Sequence, residues 1–206
     1  MTNQHLVVVG GGMVAHRLVE AVLQRDGSPW RITVLAEEPR APYDRVALTS
    51  YFSGRDPDDL ALGDAGMWDD ARVTLRRGEQ VTEVDRDARV VHTARGREIG
   101  YDALVLATGS SAFVPPVEGK ELPGCFVYRT LDDVASLRQY VEDMRRRLDR
   151  PVVGAVVGGG LLGLEAAGAL QALDVRSHVV EFAPRLMPVQ VDEGGESFDG
   201  KFGNLH

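Results

Sequence analysis

Residues 6–15 read LVVVGGGMVA, four apolar residues followed by three glycines and the beginning of a helical pattern. The apolar run is short and mostly β-branched, which predicts a buried strand of a parallel sheet, and the glycines predict a tight turn after it. In residues 15–22 the apolar positions recur every three or four residues, as on a helix that packs against a sheet. A second apolar strand at 32–35 completes a β-α-β unit. The stretch therefore predicts an α/β fold with a parallel sheet.

The same order of elements returns in the last third of the chain. Residues 152–157 predict a strand, 158–160 a glycine turn, 161–173 a helix and 177–180 another strand. After Asp192 the chain is rich in glycines and acidic residues and shows no periodicity. The sequence thus predicts two Rossmann-like dinucleotide-binding units, of which the second is incomplete.

The segment between the two units predicts mixed structure. Residues 40–66 contain many prolines and glycines and predict an irregular excursion with a short helix at 46–52. Short β-prone runs within 73–99 alternate with turn residues, which predicts a small antiparallel meander, and the parallel sheet resumes at 104–106. Thr130 is the predicted N-cap of a long amphipathic helix.

Composition excludes several classes of partner and site. The chain has 23 Lys and Arg against 31 Asp and Glu, a formal net charge of -8, which argues against binding to a nucleic-acid backbone. No apolar run approaches the roughly 20 residues that span a bilayer, and no basic leader precedes the first strand, so we expect a cytoplasmic protein without a membrane partner. Cys125 is the only cysteine, which excludes an internal disulfide and a CxxC redox pair. No metal site is predicted.

The first glycine turn matches a dinucleotide-binding fingerprint, Gly10-x-Gly12-x-x-Ala15. In such a motif Gly10 permits the tight turn, Gly12 lets the backbone approach a diphosphate, and Ala15 allows the helix to pack closely on the strand. The helix then begins at Met13, so that its amino terminus faces the phosphates.

An acidic pair ends the second strand of this unit. Either Glu37 or Glu38 is placed to accept hydrogen bonds from the ribose hydroxyls of an adenosine. Glu37 is the preferred residue, and Glu38 stays open as the alternative. The remaining alternative, that the glycines only turn the chain, is weakened because the strand, turn, helix and acid occur twice.

The second copy of the fingerprint is Gly158-x-Gly160-x-x-Gly163, with Leu162 in the first turn of the following helix. Glu181 lies at the end of the next strand, close to the spacing of about 20 residues expected for a ribose-binding acid. A carboxylate about 4 Å from a 2'-phosphate would meet a like charge worth about 4 kcal/mol at an effective dielectric constant of 20. The second unit is therefore predicted to bind NADH rather than NADPH.

A third group of small residues follows the strand at 104–106. Ala107, Thr108 and Gly109 come directly after it, as needed where the backbone passes a bulky ligand. A plain strand exit remains the alternative.

Together these motifs resemble the two-dinucleotide-fold flavoprotein reductases of the pyridine nucleotide-disulfide oxidoreductase superfamily. Two fingerprints flank the segment YDALVLATG at 101–109, and the motif order matches over residues 5 to about 192. Within that superfamily, residues 10–22, 37–54 and 179–192 are most similar to the amino-terminal region of assimilatory NAD(P)H-dependent nitrite reductase large subunits.

The resemblance implies further cofactor-binding residues. It places Arg45 and Thr49 near the flavin of FAD, the backbone at Val81 beside the adenine, and Glu165 near the nicotinamide. The alternatives are an ion-paired loop arginine for Arg45, a helix-surface residue for Thr49 and an ordinary polar helix residue for Glu165. Ferredoxin-reductase relatives often carry a lysine where this chain has Ser50, which weakens any role for a lysine near the flavin.

The resemblance also implies a domain arrangement and an activity. Residues 1–118 would be the first part of an FAD-binding domain, 119–150 a connecting segment, 151–192 the start of an NADH-binding domain, and 193–206 a disordered or non-native tail. NADH would deliver hydride to FAD, and electrons would pass to an acceptor domain or protein. No catalytic side chain is implied.

The same resemblance implies a truncated electron-input part of a nitrite reductase, whose iron-sulfur and siroheme ligands these 206 residues lack. Two other readings stay open. One is an NADH-dependent reductase of ferredoxin or rubredoxin, and the other is a non-catalytic remnant that binds dinucleotides weakly.

Overall fold

The computed structural model describes residues 4–63, 65–187 and 191, so the predicted tail at 193–206 lies outside the described residues. The chain divides into two compact units. The first is drawn from Met1–Arg45 and Asp58–Ser111, and the second from Val46–Pro57 and Ala112–His206. The domain limits predicted from the sequence stay a prediction, although the excursion at Val46–Pro57 groups with the second unit.

The first unit contains seven strands and one α-helix among its described residues. These are β1 (Gln4–Val9), α1 (Met13–Leu23), β2 (Trp30–Ala36), β3 (Val73–Arg77), β4 (Val81–Asp85), β5 (Val90–Thr93), β6 (Glu98–Gly100) and β7 (Ala103–Leu106). Strands β1, β2, β3 and β7 form one parallel sheet in the order β3-β2-β1-β7. Strands β4 to β6 form the antiparallel meander. The predicted α/β fold is confirmed.

The central sheet is covered on both faces, which explains the unbroken apolar run of its first strand. Leu6 and Val8 face α1 and pack with its Ala15 and Val19. The alternate residues, Val7 and Val9, face the other way and pack with Leu35 of β2 and Val91 of the meander. Because all strands of this sheet run parallel, their carboxyl ends lie together at one edge, where ligands of such folds bind.

A buried carboxylate that follows β3 binds two residues of the meander. Glu79 is 3% exposed, and its Oε1 accepts a hydrogen bond of 2.6 Å from the Thr93 hydroxyl. The Arg97 Nε lies 3.3 Å from the other carboxylate oxygen. The Thr93 hydrogen bond, aided by Arg97, lowers the pKa of the Glu79 carboxyl.

Glu79→Gln is expected to make stability less dependent on pH. A carboxyl whose pKa is lowered by folding contributes stability above its unfolded value, here 4.5, and that contribution is lost as the pH falls through the folded value. At neutral pH the wild type should therefore melt at a higher temperature than Glu79→Gln, and the gap should close below about pH 4.5. Thermal melts across this range check it. Glu83→Gln, at an exposed position of β4, is the control; an equal pH dependence in wild type and Glu79→Gln would contradict the assignment.

The second unit contains α2 (Leu131–Arg147), β8 (Val153–Val157), α3 (Leu161–Ala172) and β9 (Arg176–Val180). Strands β8 and β9 pair in parallel, with Val157 opposite Val180. The apolar core joins Val141 of α2, Leu170 of α3 and Val175. Thr130 is confirmed as the N-cap of α2, since its side chain accepts the amide of Asp133 in a capping box.

The short helix predicted at 46–52 is present as a 3-10 helix over Leu48–Ser53. Its beginning is held at Ala47, whose carbonyl accepts both the amide and the hydroxyl of Ser50. It ends at Gly54, which has a φ of 90° that favours glycine. Two further 3-10 helices, Pro57–Leu60 and Ala65–Asp69, lie in the excursion where the sequence showed no helical period.

The described residues contain neither a membrane-spanning helix nor a cluster of metal-ligating side chains. No helix among them has the length and apolar character needed to cross a membrane. No group of three or more His, Cys, Asp or Glu side chains among them is arranged to hold a metal ion.

Candidate dinucleotide-binding sites

The first glycine turn begins at a position that only glycine fits. Gly10 has a φ of +113°, and a Cβ built there would lie 2.1 Å from the carbonyl oxygen of Ala107. Its amide donates to the Leu35 carbonyl at 2.8 Å, which continues the hydrogen bonding of β1 with β2. Gly10 therefore brings the end of β1 against the exit of β7 at the carboxyl edge of the sheet.

Gly12 differs, because the protein itself does not require glycine there. Its backbone is extended, with a φ of -100°, and a Cβ at this position would meet nothing within 4 Å. The amides of Gly12, Met13 and Val14 have no acceptor among the described residues, and the last two side chains are exposed. Open space beside three unsatisfied N–H groups at a helix amino terminus suits a diphosphate.

Ala15 occupies the third motif position and is fully buried in the core between α1 and the sheet. Its small side chain is what lets the first turn of the helix lie against the strands. It is thus placed to shape the turn rather than to contact a ligand with its side chain.

The two acids after β2 have different surroundings. Glu37 is exposed, and its Oε1 accepts a hydrogen bond of 3.0 Å from Gln80. Glu38 is partly buried, with one oxygen accepting the Tyr43 hydroxyl at 2.8 Å and the other paired with Arg45. Of the two carboxylates, Glu37 is the one with an oxygen left for a ligand among the described contacts.

Arg45 is ion-paired with Glu38, and its guanidinium also lies 5.2 Å from the centroid of the Tyr43 ring. Arg45 thus forms the ion pair that the sequence analysis gave as the alternative to a contact with the flavin. Val81 is the first residue of β4, half-buried and paired with Thr93. Its proposed place beside an adenine stays a prediction.

The exit of β7 lies next to the first glycine turn. Ala107 donates its amide to the Val9 carbonyl at 2.7 Å, and its own carbonyl is the atom nearest a Cβ at Gly10. Thr108 and Gly109 are exposed, and Gly109 has a φ of +70°. Ala107 and Thr108 therefore lie against Gly10, and the chain leaves the sheet after Leu106 instead of continuing as a strand.

The second turn repeats the first. Gly158 also has a φ of +113°, and a Cβ at Gly160, which has a φ of -78°, would meet no atom of the described residues within 4 Å. At Gly163 a Cβ would lie 1.9 Å from the Gly158 carbonyl oxygen, so helix and turn are in backbone contact. Among the described contacts the amides of Gly160, Leu161 and Leu162 lack an acceptor. This turn also suits a diphosphate.

Glu181 is held by backbone amides. Its Oε1 accepts the Ala183 amide at 2.7 Å and its Oε2 accepts the Gly159 amide at 2.5 Å. These two hydrogen bonds, the one from Ala183 foremost, lower the pKa of the Glu181 carboxyl and keep it charged. The carboxylate is thus fixed beside the second glycine turn, where the sequence predicted a ribose-binding acid.

Thr49 and Glu165 share a neighbour that the sequence did not single out. The Thr49 hydroxyl is 3.0 Å from the Tyr128 hydroxyl, and the Tyr128 ring stacks on Phe52. Burial raises the pKa of Tyr128, and the nearby Glu165 carboxylate adds to the rise. Thr49 and Tyr128 are 79 positions apart, so no local pattern pointed to the pair.

Comparison with known proteins gives relatives for this arrangement. The family model for pyridine nucleotide-disulphide oxidoreductases matches residues 4–198. Over 95% of this chain, the sequence is 51% identical to the nitrite reductase [NAD(P)H] large subunit of Klebsiella oxytoca. Over 100% of this chain, it is 44% identical to the nitrite reductase (NADH) large subunit of Escherichia coli. It spans 20% and 24%, respectively, of those two proteins.

A solved structure shares the fold. The ferredoxin reductase for the CYP199A2 system from Rhodopseudomonas palustris is 30% identical, with a TM-score of 0.85. The alignment covers 96% of this chain and 47% of the reductase.

Proposed function

The chain belongs to the pyridine nucleotide-disulphide oxidoreductase family, and from this premise we propose that it is the part of a nitrite reductase large subunit that takes electrons from NADH into FAD. The resemblance to nitrite reductase large subunits, predicted from the motifs, is confirmed by the two relatives. The assignment to oxidoreductases follows from the family. We propose nitrite as the final substrate because both relatives are nitrite reductases.

One observation supports the proposal above others: Gly12 and Gly160 are glycines that the protein does not itself need. Each has an extended backbone, empty space where a Cβ would stand, and unsatisfied amides beside it at the start of a helix. A diphosphate would occupy that space and accept from those amides. The feature occurs once in each unit, so each unit has room for one dinucleotide. Following the order of the two sites in the resembled reductases, we assign FAD to the first turn and NADH to the second.

The residues of the two turns then have definite tasks. Amides beside Gly12 and Gly160 bind the two diphosphates, and Glu37 and Glu181 accept hydrogen bonds from the adenosine riboses. FAD, when bound, would supply the redox chemistry as the acceptor of hydride from NADH, and the protein would supply binding and orientation. Thr49, Arg45, Val81 and the Ala107–Gly109 turn are proposed to lie along FAD, and Glu165 near the nicotinamide.

Glu181→Gln is expected to reduce the preference for NADH over NADPH by about 10-fold, because a like charge no longer opposes the 2'-phosphate. The effect is smaller than the roughly 4 kcal/mol of an unscreened pair, since Glu181 is only partly buried and solvent screens its charge. The amide oxygen of glutamine still accepts the Gly159 N–H, whereas the hydrogen bond from the Ala183 amide is lost. Dissociation constants for both nucleotides, measured by quenching of protein fluorescence, check this. Glu118→Gln, an exposed acid of the same unit, is the control. An unchanged NADH preference in Glu181→Gln would contradict the role of Glu181.

The proposal is tested by reducing the flavin. The protein is incubated with FAD, separated from excess cofactor and mixed with NADH without oxygen, and the flavin absorbance is followed. Bleaching by NADH, absent in Gly160→Val, supports electron input through the second turn. A colourless protein after incubation with FAD would favour the non-catalytic remnant instead.

A second candidate function is reduction of a ferredoxin-type acceptor, favoured by the likeness to the ferredoxin reductase. The two candidates share both cofactors and differ in the acceptor. The FAD-loaded, NADH-reduced protein would be offered a ferredoxin, and rapid reduction of that ferredoxin would favour the second candidate.

A further inference from the structure

Three side chains after β2 form a closed cluster, which we call the Glu38 cluster: Glu38, Tyr43 and Arg45. The Tyr43 hydroxyl donates to Glu38 Oε2 at 2.8 Å, and the Arg45 guanidinium pairs with Glu38 Oε1. The guanidinium also lies 5.2 Å from the centroid of the Tyr43 ring. Each member therefore contacts the other two.

The cluster is largely shielded from water. Tyr43 is 5% exposed, and the side chains of Glu38 and Arg45 are 23% and 24% exposed. Charge pairs at such sites are screened less than those on the open surface. Removal of one partner leaves the other charge partly buried without compensation, so the pair fixes the geometry of its members more firmly than a surface pair does.

The segment between Glu38 and Arg45 is pinned from two sides. On one side the Asp44 amide donates to the Leu60 carbonyl at 2.8 Å, and Tyr43 forms an isolated antiparallel β-bridge with Ala61. On the other side the Glu38 carboxylate joins both Tyr43 and Arg45 to the end of β2. Glu38 thus sets where Arg45 lies relative to the carboxyl edge of the sheet.

From this geometry we infer that Glu38 is a positioning residue for FAD: it holds Arg45 in place, while Glu37 is the acid that meets the ribose. The Glu38 carboxylate is partly buried against the Arg45 cation and the Tyr43 hydroxyl, whereas Glu37 is exposed at the strand end. The inference rests on the proposed binding of FAD at the first glycine turn. It separates two neighbouring acids that the sequence could not distinguish.

A double-mutant cycle on FAD affinity tests the inference. The variants are Glu38→Gln, Arg45→Met and the double variant, each in the full 206-residue chain. Glutamine keeps an oxygen for the Tyr43 hydroxyl but loses the charge that holds Arg45. Dissociation constants come from the quenching of FAD fluorescence, the absorption spectrum of bound FAD is recorded, and the melting of the cofactor-free variants is followed in parallel. Glu83→Gln is the matched acid-to-amide control.

If Glu38 acts through Arg45, Glu38→Gln weakens FAD binding by about 10-fold, and the double variant binds no more weakly than Arg45→Met. The spectrum of bound FAD then shifts in the same direction in both single variants. Independent, additive losses would mean that Glu38 contacts FAD directly and would overturn the inference. Unchanged FAD affinity and spectrum in Glu38→Gln, with only a lower melting temperature, would also overturn it. A wild type that binds no FAD would instead overturn the proposed function.

Discussion

Gly12→Val is expected to weaken FAD binding by about 100-fold and to cost the cofactor-free protein no more than about 1 kcal/mol, the usual penalty for an apolar residue at a helix N-cap. Valine adopts the extended backbone at this position without strain, and its Cβ meets no protein atom within 4 Å. The added side chain fills only the space assigned to the diphosphate and separates it from the amides of Met13 and Val14. Titration with FAD and thermal melting of the cofactor-free protein measure the two quantities.

Gly160→Val is the matched partner of this variant, since its Cβ also meets nothing. It is expected to weaken NADH binding and to spare FAD, whereas Gly12→Val should do the reverse. Equal FAD affinity in Gly12→Val and wild type would contradict the assignment of the first turn. A large loss of stability in Gly12→Val would show that the protein itself needs this glycine.

Gly163→Val is expected to destabilise the second unit by about 3 kcal/mol, the upper part of the usual range for overpacking. A Cβ at Gly163 would lie 1.9 Å from the Gly158 carbonyl oxygen, so either α3 or the glycine turn must move. The nearest atom belongs to the backbone, and no side-chain rotation relieves the clash. Chemical unfolding followed by circular dichroism measures the loss.

Gly168→Val is the control for this variant, because it lies on the same helix and its Cβ meets nothing within 4 Å. Glycine and valine differ little in helix propensity, by a few tenths of a kcal/mol. Similar stability of Gly163→Val and Gly168→Val would show that the contact between α3 and the turn is not tight.

The elements that the sequence predicted well are those whose patterns are local. The buried strand at 6–9 and the helix after it follow from the spacing of apolar residues, and both glycine turns are found where the motifs placed them. Thr130 was recognisable as an N-cap from its position before the apolar period of α2. Each of these features depends on residues within one or two turns of chain.

The features that escaped prediction depend on contacts between distant residues. The choice between Glu37 and Glu38 depends on Tyr43 and Arg45, whose placement no periodicity reveals. The sequence motif also does not distinguish the roles of its individual glycines. The structure divides them into those that the protein needs, such as Gly10, and those that leave open space, such as Gly12. That distinction rests on the three-dimensional neighbours of each Cα.

Amide spectra of isotope-labelled protein, recorded with FAD and with NADH added separately, test whether the two glycine turns bind the two cofactors. FAD is expected to shift the amide signals of Gly12, Met13 and Val14, and NADH is expected to shift those of Gly160, Leu161 and Leu162. If the amide signals of both turns do not shift at saturating cofactor, the assignment of the two turns as cofactor-binding sites is wrong, whether or not other signals shift.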